Sequence, residues 1–213
     1  MNYSLFNQVP SAPSAPAPRQ QEQVQAVSVA PVGLRYLPGY IPLHLEARLL
    51  SLLDAAPWLD DLKRRVQHYG YRYDYKSRRI DHSMYLGPLP HWCEYYAQKL
   101  AAEGVFSSPP DQVIINEYMP GQGIAAHIDC TPCFEDTIVS LSLGSPCVMN
   151  FTQLSDPTQR YDQLLERGSA VVLQHAARFE WQHGIKSLKS DTINGQRVPR
   201  QRRVSLTFRK VKL

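Results

Sequence analysis

The 213-residue chain has no apolar run long enough to cross a bilayer and no secretory leader, so neither a membrane protein nor a secreted one is expected. Cysteine is scarce: Cys93, Cys130, Cys133 and Cys147 form no paired framework. That argues against a disulfide scaffold and suits a reducing compartment, the cytosol or, in a eukaryote, the nucleus. Charge of one sign is also lacking. The formal net charge of +4 is compatible with a polyanionic partner without requiring one. Hydrophobic residues, by contrast, make up 43% of the chain, enough for a sizeable core in one domain. A monomer is expected.

Residues 1–32 lack any sustained apolar period and are rich in Pro, Ala, Ser and Gln, including Pro10, Pro13, Pro16 and Pro18. Such a segment buries too little surface to offset chain entropy, so a disordered tail is expected there, followed by one domain over 33–213. Leu34 to Leu37 reads as a short strand before the Pro38-Gly39 turn. Leu45, Leu49, Leu52 and Leu53 recur at helical spacing within His44 to Asp54. A second helix is predicted from His91 to Glu103, with Trp92, Tyr95, Tyr96 and Leu100 toward the core and Gly104 as its stop. From Gln112 onward short strands succeed one another: Val113 to Tyr118, Thr137 to Leu143, Cys147 to Phe151, Ala170 to Leu173 and Val204 to Val211. That pattern predicts a mainly β fold with flanking helices, an α+β jelly-roll barrel over about 111–213.

The chemistry concentrates in Asn116 to Asp129, which ends in His127-Ile128-Asp129. Side chains two apart in an extended chain leave the same face, so both can point at one metal ion. His183 in Phe179 to Ile185 is the best third ligand, returning on another strand. Two imidazoles and one carboxylate with open positions opposite suit Fe(II) and oxygen chemistry. In Arg203 to Arg209, Val204, Leu206 and Phe208 take one face of a half-buried strand, and Arg203, Ser205, Thr207 and Arg209 take the other. The two arginines can bracket a small dicarboxylate, because a guanidinium pairs bidentately with a carboxylate. Triad and arginines together imply Fe(II) with 2-oxoglutarate.

Asn116-Glu117-Tyr118, Pro120-Gly121, His127-Ile128-Asp129, His183-Gly184-Ile185 and the Arg203 to Arg209 strand resemble the AlkB family of Fe(II)/2-oxoglutarate-dependent nucleic-acid dioxygenases, over roughly residues 34–213. The resemblance implies a double-stranded β-helix with N-terminal helices and a β-hairpin lid at about 63–90. It implies iron ligation by His127, Asp129 and His183, with O2 as the oxidant. It also implies 2-oxoglutarate contacts by Asn116, Tyr118, Arg203, Ser205 and Arg209, with Arg203 on the distal carboxylate and Arg209 counted among the catalytic set.

Nucleic acid is the expected partner. Tyr69, Tyr71, Tyr73 and Tyr75 alternate and would share a strand face, between the cations Lys63, Arg64 and Arg65 and the cations Lys76, Arg78 and Arg79. Rings flanked by cations suit base stacking and phosphate contact, which makes Tyr69, Tyr71, Tyr73, Arg78 and Arg79 substrate candidates. Trp181 either walls the metal cavity as a further substrate contact or fills the core. Lys186 to Leu213 carries nine basic residues against Asp191 alone; Lys186, Lys189, Arg197, Arg200 and Arg202 would be free for phosphates. Cys130-Thr131-Pro132-Cys133 reads as two free thiols in a loop.

The family's repair enzymes carry a carboxylate soon after the metal-binding Asp, whereas here Cys130 and Thr131 follow Asp129. The run from Gly121-Gln122-Gly123-Ile124 to Asp129, then from Phe134-Glu135-Asp136 to Ser145, looks more like the branch that hydroxylates a modified wobble uridine in tRNA. Oxidative demethylation of alkylated bases in DNA or RNA, releasing formaldehyde, stands first among the expectations. Wobble-uridine hydroxylation follows closely, and an oxygenase of a protein or small molecule remains a third.

Overall fold

The computed structural model describes residues 29–213 apart from Asp61. Disorder expected for residues 1–28 lies outside them. At the near end, the Val32 carbonyl already accepts a hydrogen bond from the Ala177 amide at 2.9 Å. The described elements begin with β1 Leu34–Leu37, α1 Leu43–Ala55, β2 Val66–Tyr69, α2 His91–Ala102, β3 Gln112–Tyr118 and β4 Ile124–His127. They continue with β5 Phe134–Gly144, β6 Cys147–Gln153, β7 Arg160–Leu165, β8 Ala170–Leu173 and α3 His175–Phe179. The chain ends through β9 Trp181–Ile185, the hairpin of β10 Ser190–Ile193 and β11 Gln196–Pro199, and β12 Arg203–Val211.

Two antiparallel sheets form the barrel: six strands in the order β1-β8-β5-β12-β3-β2, and four in the order β4-β9-β6-β7. Helices α1 and α2 cover the outer face of the six-stranded sheet. Leu49, Leu53, Cys93, Ala97 and Leu100 pack there with Val113, Ile115, Leu141, Leu206 and Phe208 in one cluster. Tyr95 (55% exposed), expected toward the core, faces outward instead, as does Leu52 (41%) on α1. On α2, Cys93, Tyr96, Ala97 and Leu100 occupy the sheet-facing arc, and Tyr95 lies one residue, about 100°, off it.

The central strand β12 is buried on both faces rather than one, because a strand inside a barrel has an inner face closed by the opposing sheet. Its polar face points inward. Cross-strand register aligns Ser205 with Asn116 and Ser142, and Thr207 with Ile114 and Ser140, so a polar floor runs across β3, β12 and β5. Outward-facing Glu117 accepts from Arg65 (2.6 and 2.8 Å) and Arg202 (2.7 Å), while Arg202 also binds Asp54.

The alternating tyrosines do not share a strand face. β2 ends at Tyr69, and Gly70 adopts a left-handed φ of +77°, a conformation that glycine reaches without the steric cost of a Cβ. The segment beyond is a two-armed loop joined by the bridges Tyr71↔Tyr85 and Asp74↔Arg79. Asp74 caps its tip, accepting from the Lys76 amide (2.8 Å) and the Ser77 hydroxyl (2.6 Å). The segment expected to form a hairpin lid is thus a turn-held loop rather than a regular hairpin.

Candidate metal and co-substrate site

Strand pairing brings the ligands together. β4 and β9 pair with His127 opposite His183, placing the ring centroids 4.6 Å apart. Gly184 permits this: a Cβ there would meet the Ala126 nitrogen and the Ile124 oxygen at 2.9 Å. Asp129, two residues beyond His127, turns into the same space, and ligand atoms of His127, Asp129 and His183 all lie within 4.8 Å of one another. The His127 Nδ1 sits 2.9 Å from the Ala125 carbonyl oxygen. A proton on Nδ1 is donated there, which leaves the Nε2 lone pair for a metal.

The electrostatics keep Asp129 and His183 in their metal-binding forms. Burial alone would raise the Asp129 carboxyl, but Arg209, His127 and His183 around it hold it well below the usual carboxylate range. Burial, followed by the neighbouring His127, pushes His183 down to about 3, so its imidazole is neutral. Arg209 reaches both Asp129 oxygens, at 3.1 and 3.5 Å, and donates to Gln112 at 3.2 Å, with its guanidinium 5.0 Å from the Phe134 ring. The expected bracket of two arginines around a dicarboxylate is therefore divided: Arg209 sits at the metal ligand and Arg203 at the far end.

Arg203 is 2% exposed and donates one hydrogen bond, from Nη2 to the Ser142 hydroxyl at 2.8 Å. Its Nε and Nη1 are buried without a partner among the described residues. Arg203, Asn116, Tyr118 and Ser205 line a narrow inner cavity together with all three candidate ligands. Buried unmet guanidinium donors facing a cavity are completed by a carboxylate, so this donor set fits a dicarboxylate chelating a metal at the triad.

A second, outer cavity of about 550 Å³ opens above the triad. Tyr73, Tyr75, Arg64 and Arg78 line one side; Phe134, Ile124 and Gln182 contribute elsewhere. Tyr73 and Tyr75 meet edge to face at 4.9 Å. The Arg64 Nε donates to the Asn116 side chain at 2.8 Å, and its guanidinium lies 5.7 Å from the Tyr118 ring centroid, so from the outer cavity it contacts two residues that line the inner one.

Other sequence-based candidates fall elsewhere. Tyr69 packs edge-on against Trp92 at 5.4 Å, and the Tyr71 ring lies tilted against Tyr85 at 5.1 Å. Arg79 lies 3.5 Å from Asp81, outside the cavity lining. Trp181 is buried in the second apolar cluster, while its neighbour Gln182 lines the cavity because successive strand residues face opposite ways. Arg200 pairs with Asp191 at 2.6 Å, and Arg202 with Glu117 and Asp54, so neither is free for phosphate. Cys130 and Cys133 form a disulfide instead of two free thiols, because the turn brings their Cα atoms to 5.2 Å.

The fold and site define a class of oxygenase. The profile of the 2OG-Fe(II) oxygenase superfamily matches residues 54–209. The Arabidopsis thaliana protein named alkylated DNA repair protein ALKBH8 homolog is 35% identical over 84% of this chain and 58% of its own length. Mus musculus tRNA (carboxymethyluridine(34)-5-O)-methyltransferase ALKBH8 is 35% identical over 91% of this chain and 32% of its own. The chain thus spans about a third to somewhat over half of these two relatives. The solved structure of OsALKBH1 shares the fold, with a TM-score of 0.64 at 17% identity over 85% of this chain and 98% of that one. The chain belongs to the 2OG-Fe(II) oxygenase superfamily, and within it to the AlkB family. It is accordingly an Fe(II)- and 2-oxoglutarate-dependent dioxygenase using O2.

Proposed function

We propose that the enzyme oxidises an uncharged or anionic modified base in RNA, with a wobble uridine of tRNA bearing a carboxylate-containing substituent as its substrate class. The observation that carries this reading is the charge of the outer cavity. Among its described lining residues the only acid is Asp129, itself a candidate metal ligand, whereas Arg64, Arg78 and Arg209 all contribute. A cationic base such as 1-methyladenine would meet like charge there, while a substituent carboxylate finds forked donors. The printed name of the mouse relative, which specifies carboxymethyluridine, supports the same direction.

When bound, iron with 2-oxoglutarate and O2 supplies an oxidant that takes hydrogen from a nearby carbon and returns hydroxyl. The chain's own residues hold the reactants. Arg203 and Ser205 anchor the distal carboxylate, His127, Asp129 and His183 present three ligand atoms on one side, and Arg209 orients Asp129. Tyr73 and Tyr75 offer ring faces and edges to a base that has left its stack. Arg64 and Arg78 orient its acidic substituent.

A second reading is oxidative demethylation of a neutral methylated base, supported by the repair function in the Arabidopsis relative's name. Anaerobic Fe(II) loading followed by incubation with 2-oxoglutarate, O2 and total tRNA separates the two. A tRNA nucleoside heavier by one oxygen, absent with His127→Ala, is the expected result. Formaldehyde release with restored bases in a methylated oligonucleotide, and no change in tRNA, overturns the first reading in favour of the second. Succinate production without change in either substrate sinks both.

A further inference from the structure

We infer that Arg178 is a positioning residue for the metal centre, fixing the backbone that carries Asp129 relative to the strand that carries His183. Its side chain is 2% exposed. Its Nη1 donates to the Asp129 carbonyl oxygen at 3.0 Å and its Nη2 to the Cys130 carbonyl oxygen at 3.3 Å. Two nitrogens of one planar fork thus grip two consecutive peptide oxygens just after the His-x-Asp pair. The same residue lies in α3, five positions before His183, and the intervening chain runs straight into β9.

The energetics point to a role beyond packing. A guanidinium in the interior normally has a carboxylate partner, because removing an isolated charge from water is costly. No carboxylate among the described residues lies in ion-pair contact with Arg178; Asp129 and Asp136 attract it only at longer range, burial depresses its basicity, and its Nε is buried without a partner. The ring of Phe179 lies 4.9 Å from it on one side. Retaining such a charge for two carbonyl contacts makes sense if those carbonyls must not move. Asp129 is then held at both ends, by Arg209 at its carboxylate and by Arg178 at its main chain. Lysine has a single ammonium and cannot span both oxygens in a plane.

The test uses Co(II) as the probe, titrated anaerobically into the full chain and followed by its visible absorption and by calorimetry. Arg178→Met removes charge and fork while keeping bulk; Arg178→Lys keeps only the charge. Leu206→Ala, in the core cluster away from the inner cavity, is the control for lost stability. Removal of groups that orient metal ligands typically weakens metal affinity about 10- to 100-fold. That loss is expected for Arg178→Met, with an altered Co(II) spectrum and a smaller loss for Arg178→Lys. Leu206→Ala, although less stable, is expected to stay within about twofold of the wild-type affinity. The inference is overturned if both Arg178 variants bind Co(II) with wild-type affinity and spectrum, or if Leu206→Ala loses as much. It is also overturned if neither Arg178 variant folds at any Co(II) concentration, which would make the residue a requirement of the fold.

Discussion

Arg203→Met should move stability and co-substrate affinity in opposite directions. In the ligand-free protein the guanidinium donates one charge-assisted hydrogen bond to the neutral Ser142 hydroxyl and lies 5.3 Å from the Tyr118 ring, with two donor nitrogens unmet. The bond contributes about 1.5–3 kcal/mol and the ring contact about 1 kcal/mol. Against them stands the desolvation of a buried cation, an effective penalty of several kcal/mol. Methionine, unbranched and apolar, fits much of the same volume. The net expectation is a ligand-free variant more stable by about 1 kcal/mol or more, roughly 2–4 °C in Tm for a domain of this size. With 2-oxoglutarate the sign reverses. Truncating one partner of a buried charge-assisted pair costs about 2–5 kcal/mol, or about 30- to 4,000-fold in affinity. Calorimetric titration of 2-oxoglutarate into the Mn(II)-loaded protein, beside thermal melts without ligand, reads both quantities. A variant with lower Tm and unchanged affinity would refute the assignment, since Arg203 would then be an ordinary structural residue.

Glu117 accepts from Arg65 and Arg202, and the Arg65 hydrogen bond foremost holds its carboxyl below the usual range. Because the folded value is depressed, this stabilisation is complete above the unfolded value near pH 4.3 and is lost as pH falls through the lower folded value. Thermal melts should therefore show Glu117→Gln costing about 1–3 kcal/mol at pH 7, with the gap to wild type closing under acid conditions. Reducing the Cys130–Cys133 disulfide should cost only about 2 kcal/mol, because the loop it closes is so short; a thermal melt with and without dithiothreitol measures it. Arg78→Glu should lower kcat/KM on tRNA about tenfold or more and flatten its salt dependence by about one unit of slope, whereas an unchanged slope would remove Arg78 from the RNA contact.

Strand β12 was legible because its period of two is uninterrupted, and a side-chain alternation fixes two faces whatever the tertiary context. His127 and Asp129 were legible for the same local reason. What sequence could not supply depends on partners distant in the chain. Arg202 looks free until Asp54, 148 positions away, folds against it. Arg178 gives no signal in a string, since its partners are carbonyl oxygens, which every residue has. The CxxC spacing was visible, but closure of the disulfide required the turn geometry. In the lid, alternating tyrosines imitate a strand, and Gly70 followed by the Asp74 turn overrides them. A signal was available there: a glycine inside a strand pattern and an aspartate two and three residues before Lys76 and Ser77 both favour a turn.

The consecutive arginines Arg64 and Arg65 clasp the consecutive residues Asn116 and Glu117 from opposite faces of the sheet. The root of the loop is riveted to both faces of β3, and the loop closes where the Leu86 amide bonds back to the Gly70 carbonyl at 2.8 Å. Such a division makes the wall of the outer cavity an interchangeable part. Mutation can reshape the loop from Tyr71 to Tyr85, and with it the side of the outer cavity that Tyr73, Tyr75 and Arg78 line, while the triad and Arg203 on the far side of the rivet keep their geometry.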